Sequence, residues 1–268
     1  MFRESGKRRL RTVADDNPFS PGRALASRTL LQDKNDIHIW SVRIADPDAC
    51  LTCGESILSP QEQNRVSQFK FEKDRSRSIV SHAALRSILC DYLNIAPQDL
   101  QFSTGANGKP ALTKVPGQCW LQFNLSHSGD IALIAITRRR EIGVDVEYVK
   151  QDFPFHEVAE HFFTAREVAA LCALPEPLQR QAFYKCWTSK EAYLKAKGTG
   201  LSGELDEVEI LLAEEQSVRI KGSVPNWTLM ELPAPDNYRA ALVVEGDECR
   251  VQCFQWQQPL ESSHADHA

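Results

Sequence analysis

The 268-residue chain has no continuous run of about 18 apolar residues, the length that a helix needs to cross a bilayer. Its basic N-terminus, MFRESGKRRLRTVADDN, is not followed by an apolar segment, so it lacks the pattern of a secretory signal. Walker A spacing is also missing, which excludes a P-loop. These absences predict a cytoplasmic protein with no membrane partner.

A zinc-ligand set is lacking too, although the chain contains eight cysteines. Cys50 and Cys53 have CxxC spacing, and Cys249 and Cys253 lie four residues apart, but no His or Cys set completes a tetrahedral site. In a cytoplasmic protein we expect such cysteines to be free thiols.

Positive charge is scarce overall, since the net charge is -5, and this acidic balance argues against a dedicated nucleic-acid-binding protein. The exception is the first 36 residues, which hold eight Lys or Arg against five Asp or Glu. Such a basic arm can contact nucleic acid or an acidic partner. We interpret residues 1–36 instead as a flexible extension, and residues 257–268 as a polar tail.

The chain between these two segments repeats one order of elements. A strand at 36–44 precedes the capping-box sequence LSPQE and a helical pattern to about residue 93. A strand at 142–149 precedes the second capping box, in FFTARE, and helical residues to about 197, and each half carries further β segments. We predict an α+β fold of two similar halves, 37–140 and 141–256, with a ligand cleft between them.

The stretch IGVDVE places Asp145 and Glu147 two residues apart, on one face of a predicted strand. The sequence DIALIAITRRREIGVDVEYV predicts that this strand forms a hairpin with the preceding one. A solvated face would explain two acidic residues. A hard cation would explain them as well, because Mg²⁺ is usually held by one or two carboxylates together with substrate phosphates.

A second acidic position lies in AFYKCWTSKEAYLKAKG, where a predicted helix puts Glu191 and Lys195 four residues apart on one face. An exposed ion pair is the plain alternative. A third carboxylate beside ammonium groups, just before the glycine-bearing turn KGTGL, would suit a metal-bound pyrophosphate.

Two further segments could contact phosphate. In FNLSHS, Ser126 and His127 are adjacent on an extended chain and point apart, which disfavours a Ser-His nucleophile pair and favours separate phosphate contacts. In TGANGKPAL, Lys109 ends a Gly-rich turn that could offer amides and a charge to phosphate. A turn of small polar residues explains the first segment equally well, and a plain hairpin turn explains the second.

In chain order, GKPAL, FNLSHS, IGVDVE and WTSKEAYLK resemble the motifs of the 4'-phosphopantetheinyl transferases of the surfactin-synthetase-activating (Sfp) type. The resemblance covers residues 37 to 255. It implies a pseudo-twofold fold with coenzyme A in the cleft, for which a monomer suffices. It also implies the reaction, in which a serine of an apo acyl or peptidyl carrier protein attacks the β-phosphate of coenzyme A and 3',5'-adenosine bisphosphate is released.

The resemblance also implies roles by position. The Mg²⁺ ligands would be Asp145, Glu147 and Glu191; Lys195 would contact the pyrophosphate; Lys109, Ser126, His127 and Arg77 would contact the phosphates and adenosine end of coenzyme A; and Glu167 would be the general base. The early family lysines have no clear match, and Arg65 is the candidate substitute. Arg86 is expected to be structural.

Glu167 has two possible roles, because it is also the third helical position of a capping box with Thr164. The activity is open to alternatives as well. A Mg²⁺-dependent phosphohydrolase or nuclease would use the same carboxylates and lysine, and a coenzyme A-binding scaffold would need no metal. Because carrier proteins are generally acidic, we expect a basic or apolar patch beside the cleft.

Overall fold

The computed structural model describes residues 20–21, 31, 33–44, 51–105, 107–113, 120–200, 208–212, 218–221 and 227–257. Most of the predicted extension and tail, and Cys50, lie outside these ranges.

The strands are β1 (Ser20–Pro21), β2 (Asp36–Arg43), β3 (Phe102–Thr104), β4 (Pro110–Leu112), β5 (Leu121–Ser128), β6 (Ile131–Arg138), β7 (Ile142–Tyr148), β8 (Glu209–Leu212), β9 (Val218–Lys221), β10 (Trp227–Leu232), β11 (Tyr238–Glu245) and β12 (Arg250–Gln255). The α-helices are α1 (Leu51–Ile57), α2 (Pro60–Ser67), α3 (Glu72–Leu93), α4 (Phe155–Phe162), α5 (Ala165–Cys172) and α6 (Glu176–Lys197).

The first of the two main sheets has the order β1-β12-β2-β6-β5, in which β12 comes from the range 141–256, and it is covered by the long helix α3. Buried residues of α3, among them Ala84, Leu85 and Leu89, pack on the inward side chains Trp40 and Ile134 of the sheet. The helix ends at Asn94, which adopts a left-handed conformation (φ 55°) and closes the last turn by donating to the carbonyl of Cys90.

The second half is a sheet in the order β10-β11-β7, covered by the long helix α6. A separate apolar cluster fills the space between the two sheets, with Ile39 and Leu133 from the first and Val144, Val146 and Leu242 from the second. The layers therefore run helix, sheet, sheet, helix. This arrangement confirms the predicted α+β fold of two similar halves.

The predicted hairpin of IGVDVE with the strand before it is wrong. β6 pairs with β2 and β5, whereas β7 pairs with β11 in the other sheet. The turn between them redirects the chain, because Arg139 adopts a positive φ of 57° and the buried Arg140 donates to the carbonyl oxygens of Glu245 and Glu248. The charged turn read as a hairpin loop is thus the crossing between the two halves.

The last strand ties the halves together. β12 runs parallel to β2, with Val251 opposite Ile37 and Cys253 opposite Ile39. The five cysteines whose side chains are described, Cys90, Cys172, Cys186, Cys249 and Cys253, are free thiols. No helix in the described ranges is both long and apolar enough to cross a membrane.

Candidate active site

The site is built where the outer strands of the two sheets meet, β5 from one and β7 from the other. Side chains of β5, spaced two residues apart, accept hydrogen bonds from alternate backbone N–H groups of β7. Val144 N–H donates to Asn124 Oδ1 at 2.9 Å, Val146 N–H to Ser126 Oγ at 3.4 Å, and Tyr148 N–H to Ser128 Oγ at 3.1 Å. Alternation along a strand puts these three side chains of FNLSHS on one face.

The same serines orient the two carboxylates of IGVDVE. Ser126 Oγ donates to Asp145 Oδ1 at 2.8 Å, and Ser128 Oγ donates to Glu147 Oε2 at 2.6 Å. Each hydroxyl therefore acts as acceptor for the β7 backbone and as donor to a carboxylate, which uses both of its hydrogen-bonding functions.

Gly143 allows helix α6 to approach β7 at this point. A Cβ atom at this position would lie 2.0 Å from the carbonyl oxygen of Ala192 and 2.4 Å from the amide nitrogen of Ala196. Only glycine leaves room for this backbone contact. The close approach brings Lys195 to Asp145, with its Nζ 2.6 Å from Oδ1 and 2.8 Å from Ser126 Oγ.

The three predicted metal ligands lie near enough to interact electrostatically. Burial raises the pKa of Glu191 to about 7, and the negative charge of Asp145 contributes to this shift. Burial and the charge of Asp145 also raise the pKa of Glu147. Like charges held together in a partly desolvated site favour either a proton or a cation between them.

The carboxylates offer two free oxygens to a divalent cation. Asp145 Oδ2 and Glu191 Oε1 are buried and have no hydrogen-bond partner in the described part of the chain. Within the same ranges no group of three or more His, Cys, Asp or Glu side chains could hold a metal ion as they are placed, and Lys195 takes the other oxygen of Asp145. Carboxylate oxygens are the ligands that Mg²⁺ prefers, so the two unpartnered oxygens fit this ion.

Lys109 lies at the C-terminal end of α6. Its Nζ donates to the carbonyl oxygens of Ala196 at 3.0 Å and Ile142 at 3.3 Å, and it is 3.1 Å from a carboxylate oxygen of Glu141. A cation at the last carbonyls of a helix is stabilising. The structure thus gives Lys109 a capping position, while its predicted contact with phosphate stays a prediction.

Arg77 belongs to α3, and His127 points from β5 in the opposite direction to its neighbours Ser126 and Ser128. Arg77 Nη2 donates to Asp130 Oδ1 at 2.6 Å, next to the turn that follows Ser128. His127 is exposed and its charge helps to lower the pKa of His82 on α3, which is lowered mainly by burial. The roles of both residues toward coenzyme A stay predictions.

Glu167 is buried, and both of its carboxylate oxygens have partners. Oε2 accepts from the Thr164 N–H at 2.7 Å and lies 2.9 Å from Lys190 Nζ, while Oε1 accepts from the Ile210 N–H at 2.6 Å. Thr164 and Glu167 form a complete capping box, as the sequence predicted. The ion pair is almost fully buried, with 0% of the Lys190 side chain and 1% of the Glu167 side chain exposed.

The first half contains the same combination of a capping-box glutamate and a buried cation. Glu62 closes a capping box with Ser59, and its Oε2 accepts from Nε of the buried Arg86 at 2.6 Å. Arg86 also donates to the Pro97 and Leu100 carbonyls, just as Lys190 donates to that of Val208. Arg86 is structural, as expected. The repetition favours a structural role for Glu167, and its role as general base stays untested.

Sequence reasoning missed the positions of Asn124 and Ser128 beside β7 and gave Lys190 a different role. It grouped Ser128 with the phosphate-contacting side chains and Lys190 with the ammonium groups near a pyrophosphate, whereas Lys190 is buried against Glu167. The signal for Asn124 and Ser128 was the spacing N-x-S-x-S in FNLSHS. Residues two apart on a strand lie on the same face, so this spacing predicts polar side chains that all point toward one neighbouring element. Lys190 had no local signal, because a lysine inside WTSKE is equally compatible with an exposed helix position.

Family models match most of the described chain. Residues 141–243 match the model described as the 4'-phosphopantetheinyl transferase superfamily. Residues 48–139 match the model described as 4'-phosphopantetheinyl transferase, N-terminal.

Curated relatives carry the same family name. The 4'-phosphopantetheinyl transferase HetI of Nostoc sp. is 37% identical over 229 residues, which cover 85% of this chain and 92% of that protein. The 4'-phosphopantetheinyl transferase Sfp of Bacillus subtilis is 31% identical over 167 residues, covering 62% of this chain and 71% of Sfp. Among solved structures, a holo-(acyl-carrier-protein) synthase from Bacillus anthracis in complex with CoA covers 40% of this chain and 96% of its own, with a TM-score of 0.34 and 19% identity.

Proposed function

Because the chain belongs to the 4'-phosphopantetheinyl transferase family, we propose that the carboxylate site on β7 performs the transfer of phosphopantetheine from coenzyme A to a carrier protein with Mg²⁺. The serine oxygen of the carrier forms a bond to the β-phosphorus of coenzyme A. The bond from that phosphorus to the bridging oxygen breaks, 3',5'-adenosine bisphosphate leaves with the bridging oxygen, and the proton of the serine hydroxyl is released to the solution.

The observation that carries the metal proposal is the pair of buried, unpartnered oxygens, Asp145 Oδ2 and Glu191 Oε1. Together with Glu147 they would hold the cation, which when bound neutralises charge on the pyrophosphate oxygens. Ser126 and Ser128 hold the carboxylates in place by the hydrogen bonds described above, so the ligands are oriented before the ion arrives.

Lys195 supplies the positive charge nearest to the carboxylates. Its ammonium group bonds to Asp145 and Ser126 and has one more hydrogen to donate. A phosphate oxygen bound at the carboxylates would lie within reach of it. Phosphoryl transfer depends mainly on this kind of positioning and charge stabilisation.

The test is the mass of an apo acyl or peptidyl carrier protein after incubation with the enzyme, coenzyme A and Mg²⁺. We expect a gain of one phosphopantetheinyl group, abolished by a chelator and by Asp145→Asn, with Asp99→Asn on the first half as a matched control. An unchanged carrier mass would refute transfer. Phosphate release without an acceptor would indicate a phosphohydrolase, and coenzyme A binding unaffected by Mg²⁺ or by Asp145→Asn would indicate a scaffold.

A further inference from the structure

A polar cavity of about 200 Å³ lies between α6 and the ends of β10 and β11. Its walls include Lys185 and Thr188 from α6, Glu231 from β10, and Tyr238 and Arg239 from β11. Thr188 lies within the motif WTSKEAYLK, whereas Lys185, Glu231, Tyr238 and Arg239 lie outside the four motifs that point to coenzyme A and the metal.

The cavity adjoins the carboxylate site. Arg239 is paired with Glu147 across the β7–β11 ladder, so their side chains lie on the same face of the sheet. Thr188 precedes Glu191 by three residues on α6, which puts the two side chains on neighbouring turns of one helix face.

Arg239 adds a positive charge to the cavity, opposite the carboxylate of Glu147 on β7. Lys185 and Glu231 are 3.1 Å apart and offset each other. The guanidinium of Arg239 donates through Nη1 to backbone carbonyl oxygens, those of Asp236 and Tyr238, and these carry no net charge. Its Nε is buried and has no hydrogen-bond partner in the described ranges. A buried donor of this kind favours an anionic ligand that accepts from it.

The position of the cavity indicates where that anion comes from. Along β7, the cations predicted to contact the coenzyme A phosphates, Lys109 and Lys195, bond to Ile142 and Asp145, whereas Arg239 of the cavity lies opposite Glu147, further along the strand. In an in-line displacement the attacking oxygen approaches from the side opposite the leaving group. With adenosine bisphosphate leaving toward Lys195 and Lys109, the acceptor serine arrives from the side of the cavity.

We propose that this cavity receives a carboxylate side chain of the carrier protein, one close in space to the acceptor serine, and that Arg239 is a specificity-determining residue for the carrier. The inference rests on the proposed function of the carboxylate site. The chain has a net charge of -5, but Arg239 would give it a local positive group that an acidic partner can bind.

The test compares Arg239→Gln with wild type and with Arg43→Gln, an exposed arginine at the end of β2, in steady-state transfer of phosphopantetheine. We expect Arg239→Gln to raise KM for the carrier about tenfold, with KM for coenzyme A unchanged and kcat within about twofold. Because screening weakens charge pairs, raising the salt concentration should increase the carrier KM of the wild type more than that of the variant. Thermal unfolding of both variants controls for folding.

A double-mutant cycle identifies the partner group. Acidic residues of the carrier near its acceptor serine are neutralised one at a time, and one of them should show a loss that is not additive with Arg239→Gln. A raised KM for coenzyme A instead would assign the cavity to the cofactor and overturn the inference, as would an unchanged carrier KM in a folded variant. Failure of the wild type to modify any carrier would instead refute the proposed function, so the two failures are distinguishable.

Discussion

The buried pair of Glu167 and Lys190 permits a decisive test of whether Glu167 is a base or a structural residue. In Glu167→Gln, one side-chain oxygen is kept, but the amide cannot accept the hydrogen bonds of both carboxylate oxygens, and Lys190 loses its ion pair with Glu167. Removing one partner of a buried ion pair costs about 3 to 5 kcal/mol. At about 2 to 4 °C per kcal/mol for a chain of this size, the thermal midpoint should fall by roughly 6 to 20 °C.

The double variant Glu167→Gln/Lys190→Met removes both charges and should regain much of this stability. Its kcat, measured at a temperature where it is folded, should stay within about threefold of wild type if Glu167 is structural. Loss of a general base typically lowers the rate by about 100-fold to 10,000-fold. A folded double variant with such a loss would refute the structural assignment. Glu62→Gln, which leaves Arg86 unpaired in the first half, is the matched control and should lower stability without lowering kcat.

Three further predictions concern the residues around the carboxylates. Ser128→Ala should weaken Mg²⁺ binding about tenfold in a titration, because Glu147 loses the hydroxyl that orients it; unchanged affinity would show that this hydrogen bond does not prepare the ligand. Gly143→Ala should destabilise the fold by more than about 3 kcal/mol in denaturant unfolding, because its Cβ would overlap the α6 backbone; a normal midpoint would refute the close approach. Burial and Asp145 raise the pKa of Glu191 from 4.5 to about 7, so the metal-free protein loses stability as this carboxyl ionises with rising pH in that interval. Glu191→Gln should therefore raise the thermal midpoint at pH 8 and not at pH 4. An equal effect of Glu191→Gln at both pH values would contradict that shift.

The elements that depend on local signals could be predicted from the sequence. The capping boxes at Ser59 and Thr164 begin helices as expected, and the predicted strand at 142–149 is β7, Ile142–Tyr148. Helix α6 ends at Lys197, before a left-handed Gly198 (φ 72°), as its pattern indicated. Hydrophobic period, caps and glycine act within a few residues, so the local sequence contains them.

Pairings between distant segments could not be predicted in this way. β6 and β7 are adjacent in sequence with a turn-like connection, yet they belong to different sheets, and Arg140 in the turn donates to the carbonyl oxygens of Glu245 and Glu248, which are far away in sequence. β12 lies between β1 and β2, both from the other end of the chain. The buried contact of Lys190 with Glu167 likewise joins residues that no local period relates.

For the site, the sequence indicated Asp145, Glu147, Glu191 and Lys195 from the chemistry of their side chains and from the other motifs in the chain. The structure brings Lys195 into contact with Asp145 and couples the three carboxylates through their charges. It adds the hydroxyl of Ser128, whose function depends on which strand lies opposite. That neighbour is fixed by tertiary packing, so a pattern along one strand could not reveal it.

The contact between β5 and β7 also affects the tendency of the protein to aggregate. An outer strand with unpaired N–H groups is a template for strands of other chains and hence for aggregation. Here the outward N–H groups of Val144, Val146 and Tyr148 are already taken by side chains. The serines that orient the carboxylates thus also shield the strand, and replacing Ser126 and Ser128 together should lower solubility at high protein concentration as well as turnover.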